Sequence, residues 1–179
     1  EQMELIINMK RGQLSDEDKV IVARGQLDAT KEELEIFCSD LGDTYQAISN
    51  SVLDWLMEEI GDSEQYASVD EVNAAIAKIL ARQSEISTIV KAYDAATSQM
   101  DYYAALCERT SYAGTNDFKA AIETARAAVA NPTETKTIAA ALEVLETAKM
   151  AYLFTQDGDV KDVTRAINDP WFVNEAYEP

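Results

Sequence analysis

Between Ala67 and Gly114 the chain carries neither Gly nor Pro, and its apolar side chains return at alternating steps of three and four. Val72, Ile76, Ile79, Ile86, Val90, Tyr93, Met100, Ala104 and Cys107 keep one register, with Gln83 and Thr97 filling its two gaps. A repeat of this kind, sustained without a breaker, predicts a single helix over about residues 69–110, roughly 60 Å long at 1.5 Å per residue. Ser68-Val-Asp-Glu71 has the form of a capping box and marks its start.

Shorter amphipathic segments flank this helix. Glu1–Arg11 carries Leu5, Ile6 and Met9 and stops at Gly12, as a short helix would. Ser15 precedes Asp16, Glu17 and Asp18, an N-cap followed by an acidic first turn. Val20, Ala23 and Leu27 continue on one face, and Leu34, Phe37, Cys38 and Leu41 resume the pattern. Gly25 and a second box, Thr30-Lys-Glu-Glu33, predict a kink or restart near residues 28–30. Gly42 ends that helix. Asp43 with Gln46 reads as the cap of the next, whose inner face is Tyr45, Ile48, Val52, Leu56 and Ile60, widened by Leu53 and Trp55. Gly61-Asp62 closes it.

Past Gly114 the pattern is a helical hairpin. Thr115-Asn-Asp117 supplies its cap, and Phe118, Ile122, Ala125 and Val129 form one stripe. Asn131-Pro132 makes the turn, with Thr133 or Thr135 capping the return helix, whose stripe is Ile138, Ala141, Leu145, Ala148 and Tyr152. After a polar break at Thr155–Asp159 the character changes. Pro170 excludes a helix interior, so 162–173 reads as extended, with no partner strand in the chain. The expected architecture is therefore all-α: an N-terminal helical bundle over 1–90, a C-terminal three-helix bundle over 91–156, one long helix shared by both, and a short extended tail over 157–179.

Charge and composition narrow the chemistry. The net charge is −18, from 33 acidic and 15 basic residues, which argues against a nucleic-acid or anionic-membrane partner. There is no His, so the commonest general base and transition-metal ligand is missing. Cys38 and Cys107 lie far apart, outside any CxxC spacing, and read either as two buried thiols or as one disulfide of an oxidising compartment. No apolar run is long enough to span a membrane. The chain opens at Glu1 without an initiator Met and reads as a fragment of a longer protein whose leader is not in this chain.

No cofactor or metal site is predicted. Asp157, Gly158, Asp159 and Asp162 lack the full ligand spacing of a calcium loop, and Glu32, Glu33, Glu35, Glu58 and Glu59 fall on solvent-facing helix positions. The aromatic residues are the candidate ligand-binding groups. Tyr102, Tyr103 and Tyr112 gather near the end of the long helix, and Trp171 lies in the tail with Phe172 and Tyr177. Exposed rings stack on sugars and anchor protein interfaces.

The hairpin resembles the alanine-rich, FIVAR-like three-helix modules of bacterial cell-surface proteins. The matching residues are Phe118, Ala121, Ile122, Ala125, Asn131, Thr133, Ile138, Ala141, Leu145, Ala148, Ala151 and Tyr152. The tail from Asp162 to Phe172 is similar to the entry strand of a β-sandwich module in secreted and surface proteins of Bacteroidetes, except that Asp169 separates Asn168 from Pro170. The resemblance covers roughly residues 102–172. It implies a non-enzymatic helical spacer or accessory module of a secreted or surface-anchored bacterial multidomain protein, linked to glycan capture. Its partners would be adjacent domains of the parent protein, with a glycan or surface protein beyond them. The alternative is a carbohydrate- or host-protein-binding module acting through Tyr102, Tyr103, Tyr112 or Trp171. A third reading is a carboxylate-dependent enzyme.

Overall fold

The computed structural model describes residues 12, 14–110 and 112–155. The short helix read over Glu1–Arg11 and the extended tail at 157–179, with Trp171, lie outside them. Every regular element among the described residues is helical, and the chain is all-α. In order these are α1 (Asp16–Asp40), α2 (Gln46–Trp55), α3 (Val69–Arg109), α4 (Thr115–Ala128) and α5 (Thr135–Phe154). The chain divides into two compact units, residues 1–90 with 131–133 and residues 91–130 with 134–179, and α3 supplies residues to both.

In the first unit, Ser15 and Asp18 form a reciprocal capping box at the start of α1. The expected restart near residues 28–30 does not occur, and α1 runs unbroken through Gly25 and Thr30. The Thr30 hydroxyl donates to the Gln26 carbonyl at 2.8 Å, a bond made inside a continuing helix, so it caps nothing. Ala23, Leu27, Leu34 and Cys38 are buried, and packing along that stripe outweighs the local restart signal. The Asp43 cap is also absent. Asp43–Tyr45 is a 3₁₀ turn, and the Gln46 side chain donates to Asn50 instead.

The expected inner face of α2 is buried, from Tyr45 through Ile48, Val52, Leu56 and Ile60. Its last turn, Leu56–Ile60, widens to a π-helix in which the Gly61 N–H donates to the Leu56 carbonyl at 2.8 Å. Gly61 has φ 62°, and a Cβ there would come within 2.9 Å of the Gln65 amide nitrogen. Carbonyls at the end of this helix and in the 3₁₀ turn after it are taken up by cations and hydroxyls. Arg24 reaches the Tyr66 carbonyl at 2.6 and 3.0 Å and that of Glu64 at 3.0 Å. Lys31 donates to the Gly61 carbonyl at 2.9 Å, and the Tyr66 hydroxyl to that of Ile60 at 2.8 Å. The loop is thereby fastened to α1.

In the second unit, α4 and α5 pack as a hairpin. The stripe Phe118, Ile122, Ala125 and Val129 is buried as expected, as are Ile138, Ala141, Leu145 and Tyr152, while Ala148 is half-buried. The caps differ from expectation. Gly114 and Glu134 occupy the two N-cap positions, and neither helix has a side-chain cap. Thr115 is already helical, and its hydroxyl donates backward to the Tyr112 carbonyl at 2.7 Å. Gly114 is held by its N–H to Thr155 Oγ1 at 2.9 Å, where a Cβ would collide with that oxygen at 2.8 Å.

Helix α3 begins at the Ser68–Glu71 capping box and is continuous to Arg109. Its buried residues are Val72, Ala75, Ile79, Ile86, Ile89, Ala96, Met100, Tyr103 and Cys107. Five of the positions read from the sequence hold: Val72, Ile79, Ile86, Met100 and Cys107. The alternate set moves by one residue, because Ala75, Ile89, Ala96 and Tyr103 are buried where Ile76, Val90, Thr97 and Ala104 are half-buried. Apolar residues occupy both neighbouring rows of this face, so size and hydrophobicity do not single out one of them; the packed seam does.

The shifted seam has a measurable consequence. Ile89→Ala should lower stability by about 2–5 kcal/mol, the range for truncating a buried Ile, and Val90→Ala by less than about 1 kcal/mol. Urea unfolding followed by far-ultraviolet circular dichroism separates them; equal losses would restore the original register.

Candidate functional site

The second unit holds the densest array of chemistry-bearing side chains, and it centres on Tyr103. The shifted seam turns Tyr103 into the core, leaving 1% of its surface exposed. Its ring lies 5.7 Å from that of Phe118, and Phe118 stacks on Tyr152 at 4.8 Å with a 19° interplanar angle. Tyr112 lies 5.0 Å from Tyr152, and Tyr102 lies 5.8 Å from Tyr103. The three tyrosines gathered near the end of the long helix thus belong to one chain of rings running through Phe118 and Tyr152. The Tyr152 hydroxyl meets that of Thr110, which itself donates to the Leu106 carbonyl.

The Tyr103 hydroxyl leaves this apolar array and enters a polar one. It donates to Glu146 Oε1 and accepts from Lys149 Nζ at 3.0 Å and Gln99 Nε2 at 2.9 Å. Gln99 also reaches Glu146 at 2.6 Å, and Lys149 pairs with the other Glu146 oxygen at 2.9 Å. Burial pushes the Tyr103 phenol above its ordinary range, and its bond to the Glu146 carboxylate adds to this against the opposing pull of Lys149 and Gln99. For Lys149, burial favours the neutral amine, but hydrogen bonds and charge from Tyr103 and Glu146 outweigh it and raise the ammonium's pKa. Both groups are held protonated. The arrangement resists proton abstraction by Tyr103 and suits a lock between α3 and α5.

Of the four sequence candidates, Tyr103 is therefore corrected: it is a core residue, not an exposed ligand platform. Tyr102 and Tyr112 are half-buried, with the Arg109 guanidinium 5.9 Å from the centre of the Tyr102 ring. Trp171 lies outside the described residues. Glu146 and Lys149 were not singled out by the sequence reading. Their three-residue spacing marks an ordinary helical ion pair, and only the seam that places Tyr103 beside α5 gives the pair a third member.

Elsewhere, grooves open to solvent lie among the described residues. One of about 580 Å³ runs past Asp16, Arg24 and Asp70, and one of about 520 Å³ lies beside Leu53 and Met57. Cys38 and Cys107 are both free and buried, and burial, the larger influence at each, pushes their thiols up. Glu32, Glu33, Glu35, Glu58 and Glu59 are exposed. Among the described residues no group of three His, Cys, Asp or Glu side chains is placed to hold a metal ion, and no helix is long and apolar enough to cross a membrane. Comparison with protein-family models, curated proteins and solved structures finds no match.

The lock predicts an alkaline limit. The folded state holds the Tyr103 and Lys149 protons more tightly than the unfolded chain does. Their contribution is complete below about pH 10, the ordinary range of these groups, and is lost as pH rises beyond it. Tyr103→Phe should cost about 1 kcal/mol near neutrality and make the alkaline loss shallower. Urea midpoints measured from about pH 8 to pH 11 test this; an unchanged pH slope in the variant would remove Tyr103 from the account.

Proposed function

We propose that this chain is a helical spacer or accessory module of a secreted or surface-anchored bacterial multidomain protein. The observation that carries the proposal is α3, one uninterrupted helix supplying seam residues to two compact units. A helical backbone hydrogen-bonded throughout is stiff along its own length, as a spacer requires. The network around Tyr103 works in the same direction, because it pins α5 to the later part of α3 at the side-chain level. Excess negative charge keeps such a module dispersed. The resemblance of the hairpin to FIVAR-like modules supplies the surface location and the link to glycan capture.

Spin labels at Asp70→Cys and Arg109→Cys, with Cys38 and Cys107 replaced by Ala, test the mechanical premise. Double electron–electron resonance should give one narrow distance distribution near 60 Å, roughly the helical rise over this span. Thr88→Pro, in the exposed middle of the helix, should broaden it. A broad distribution in the unsubstituted helix would end the spacer reading.

A second reading keeps ligand binding at Tyr102, favoured by the guanidinium of Arg109 set against its ring. A glycan array probed with the full chain and with Tyr102→Ala distinguishes it. Binding that falls about tenfold in the variant, the scale of an aromatic anchor's contribution, supports this reading, and binding unchanged by the substitution rejects it.

A further inference from the structure

We propose that the groove between α1 and α2 in the first unit receives a basic amphipathic helix of a partner protein. This does not depend on the spacer reading. The groove, about 520 Å³, is lined by Lys31, Glu35, Leu53, Leu56, Met57 and Asp62, with Gly61 at its end. Leu53 is 44% and Met57 70% exposed, one helical turn apart on α2 and its π-helical continuation. Two large apolar side chains one turn apart in the lining of a groove offer a surface on which the apolar face of an amphipathic helix can lie. An exposed Met is well suited to it, because its flexible, polarizable side chain adapts to the partner. The widened turn at Leu56–Ile60 is of a kind found often at functional positions.

Charge identifies the occupant. Glu35 and Asp62 stand in the lining, and Asp54, Glu58 and Glu59 are exposed beside the apolar row. The lining cation, Lys31, donates to the Gly61 carbonyl at 2.9 Å and lies 3.8 Å from Asp28, and the lining carboxylates Glu35 and Asp62 outnumber it. A rim of this sign steers and orients Lys- and Arg-bearing segments. It disfavours a second copy of a chain whose net charge is −18.

The probe is a fluorescein-labelled synthetic peptide of about 14 Leu and Lys residues in helical period, with a Glu-for-Lys counterpart as control. Fluorescence anisotropy with the full chain should show binding of the Lys peptide only, weakening at high salt. Amide shifts in nuclear magnetic resonance spectra should concentrate at residues 31–35 and 53–62. The double variant Leu53→Ser, Met57→Ser changes exposed residues and should keep its circular dichroism while losing affinity about tenfold. Glu58→Gln should reduce the salt dependence. Equal binding to the double variant would mean bare charge attraction and overturn the proposal. So would shifts centred elsewhere, or self-association that the double variant abolishes.

Discussion

A helix with no breaker along its length must bury a stripe along its length, and α3 meets that requirement twice. From Val72 to Ile89 it lends its stripe to the first unit, and from Ala96 to Cys107 to the second. The other helices have to match this seam: α2 and α4, with 10 and 14 residues, are of marginal length for water alone, and the longer α1 and α5 draw most of their stability from the packing of their apolar faces. This explains why their inward faces are so regular. It also explains why their ends are closed by whatever polar group lies within reach: Arg24 and Lys31 on the carbonyls after α2, and Thr155 on Gly114.

The large elements were legible in the sequence because periodicity reports burial directly. The all-α class, the long helix, both stripes of the hairpin and the inner face of α2 follow from positions such as Val52, Ile79, Phe118 and Leu145. Caps were legible only where both halves of a reciprocal box were present and nothing stronger competed, as at Ser15–Asp18 and Ser68–Glu71. Thr30 has the same local grammar but sits between Leu27 and Leu34, whose burial keeps α1 going. Gln46 finds Asn50 one turn on, and the Asp43 box does not form.

The candidate site was half legible for a related reason. A tyrosine at a boundary position of an amphipathic helix can stand outward or lie inward, and the choice turns on which of two adjacent rows forms the seam. With Ala75, Ile89 and Ala96 in that seam, Tyr103 follows them inward. Its hydroxyl then needs partners on the facing helix, which makes Glu146 and Lys149 part of its environment. Neither residue carries any mark of this role in its own neighbourhood; the information lies in the packing of α3 against α5.

The cations show how such a fold stays open to partners despite its charge. Arg24 and Lys31 close backbone carbonyls. Lys19, Arg82, Lys119, Arg126 and Lys149 each lie within salt-bridge distance of a carboxylate. These basic groups stand beside carboxylates or carbonyls of the same chain, while acids such as Glu32, Glu33, Asp54, Glu58 and Glu59 remain exposed. Long-range repulsion then discourages acidic partners, and salt screens it only beyond about 8–10 Å at ordinary ionic strength. The apolar surface at Leu53 and Met57 lies inside that field. A ligand reaches it with favourable electrostatics only if it brings positive charge, so the features that keep the chain dispersed also select what can cover its exposed apolar face.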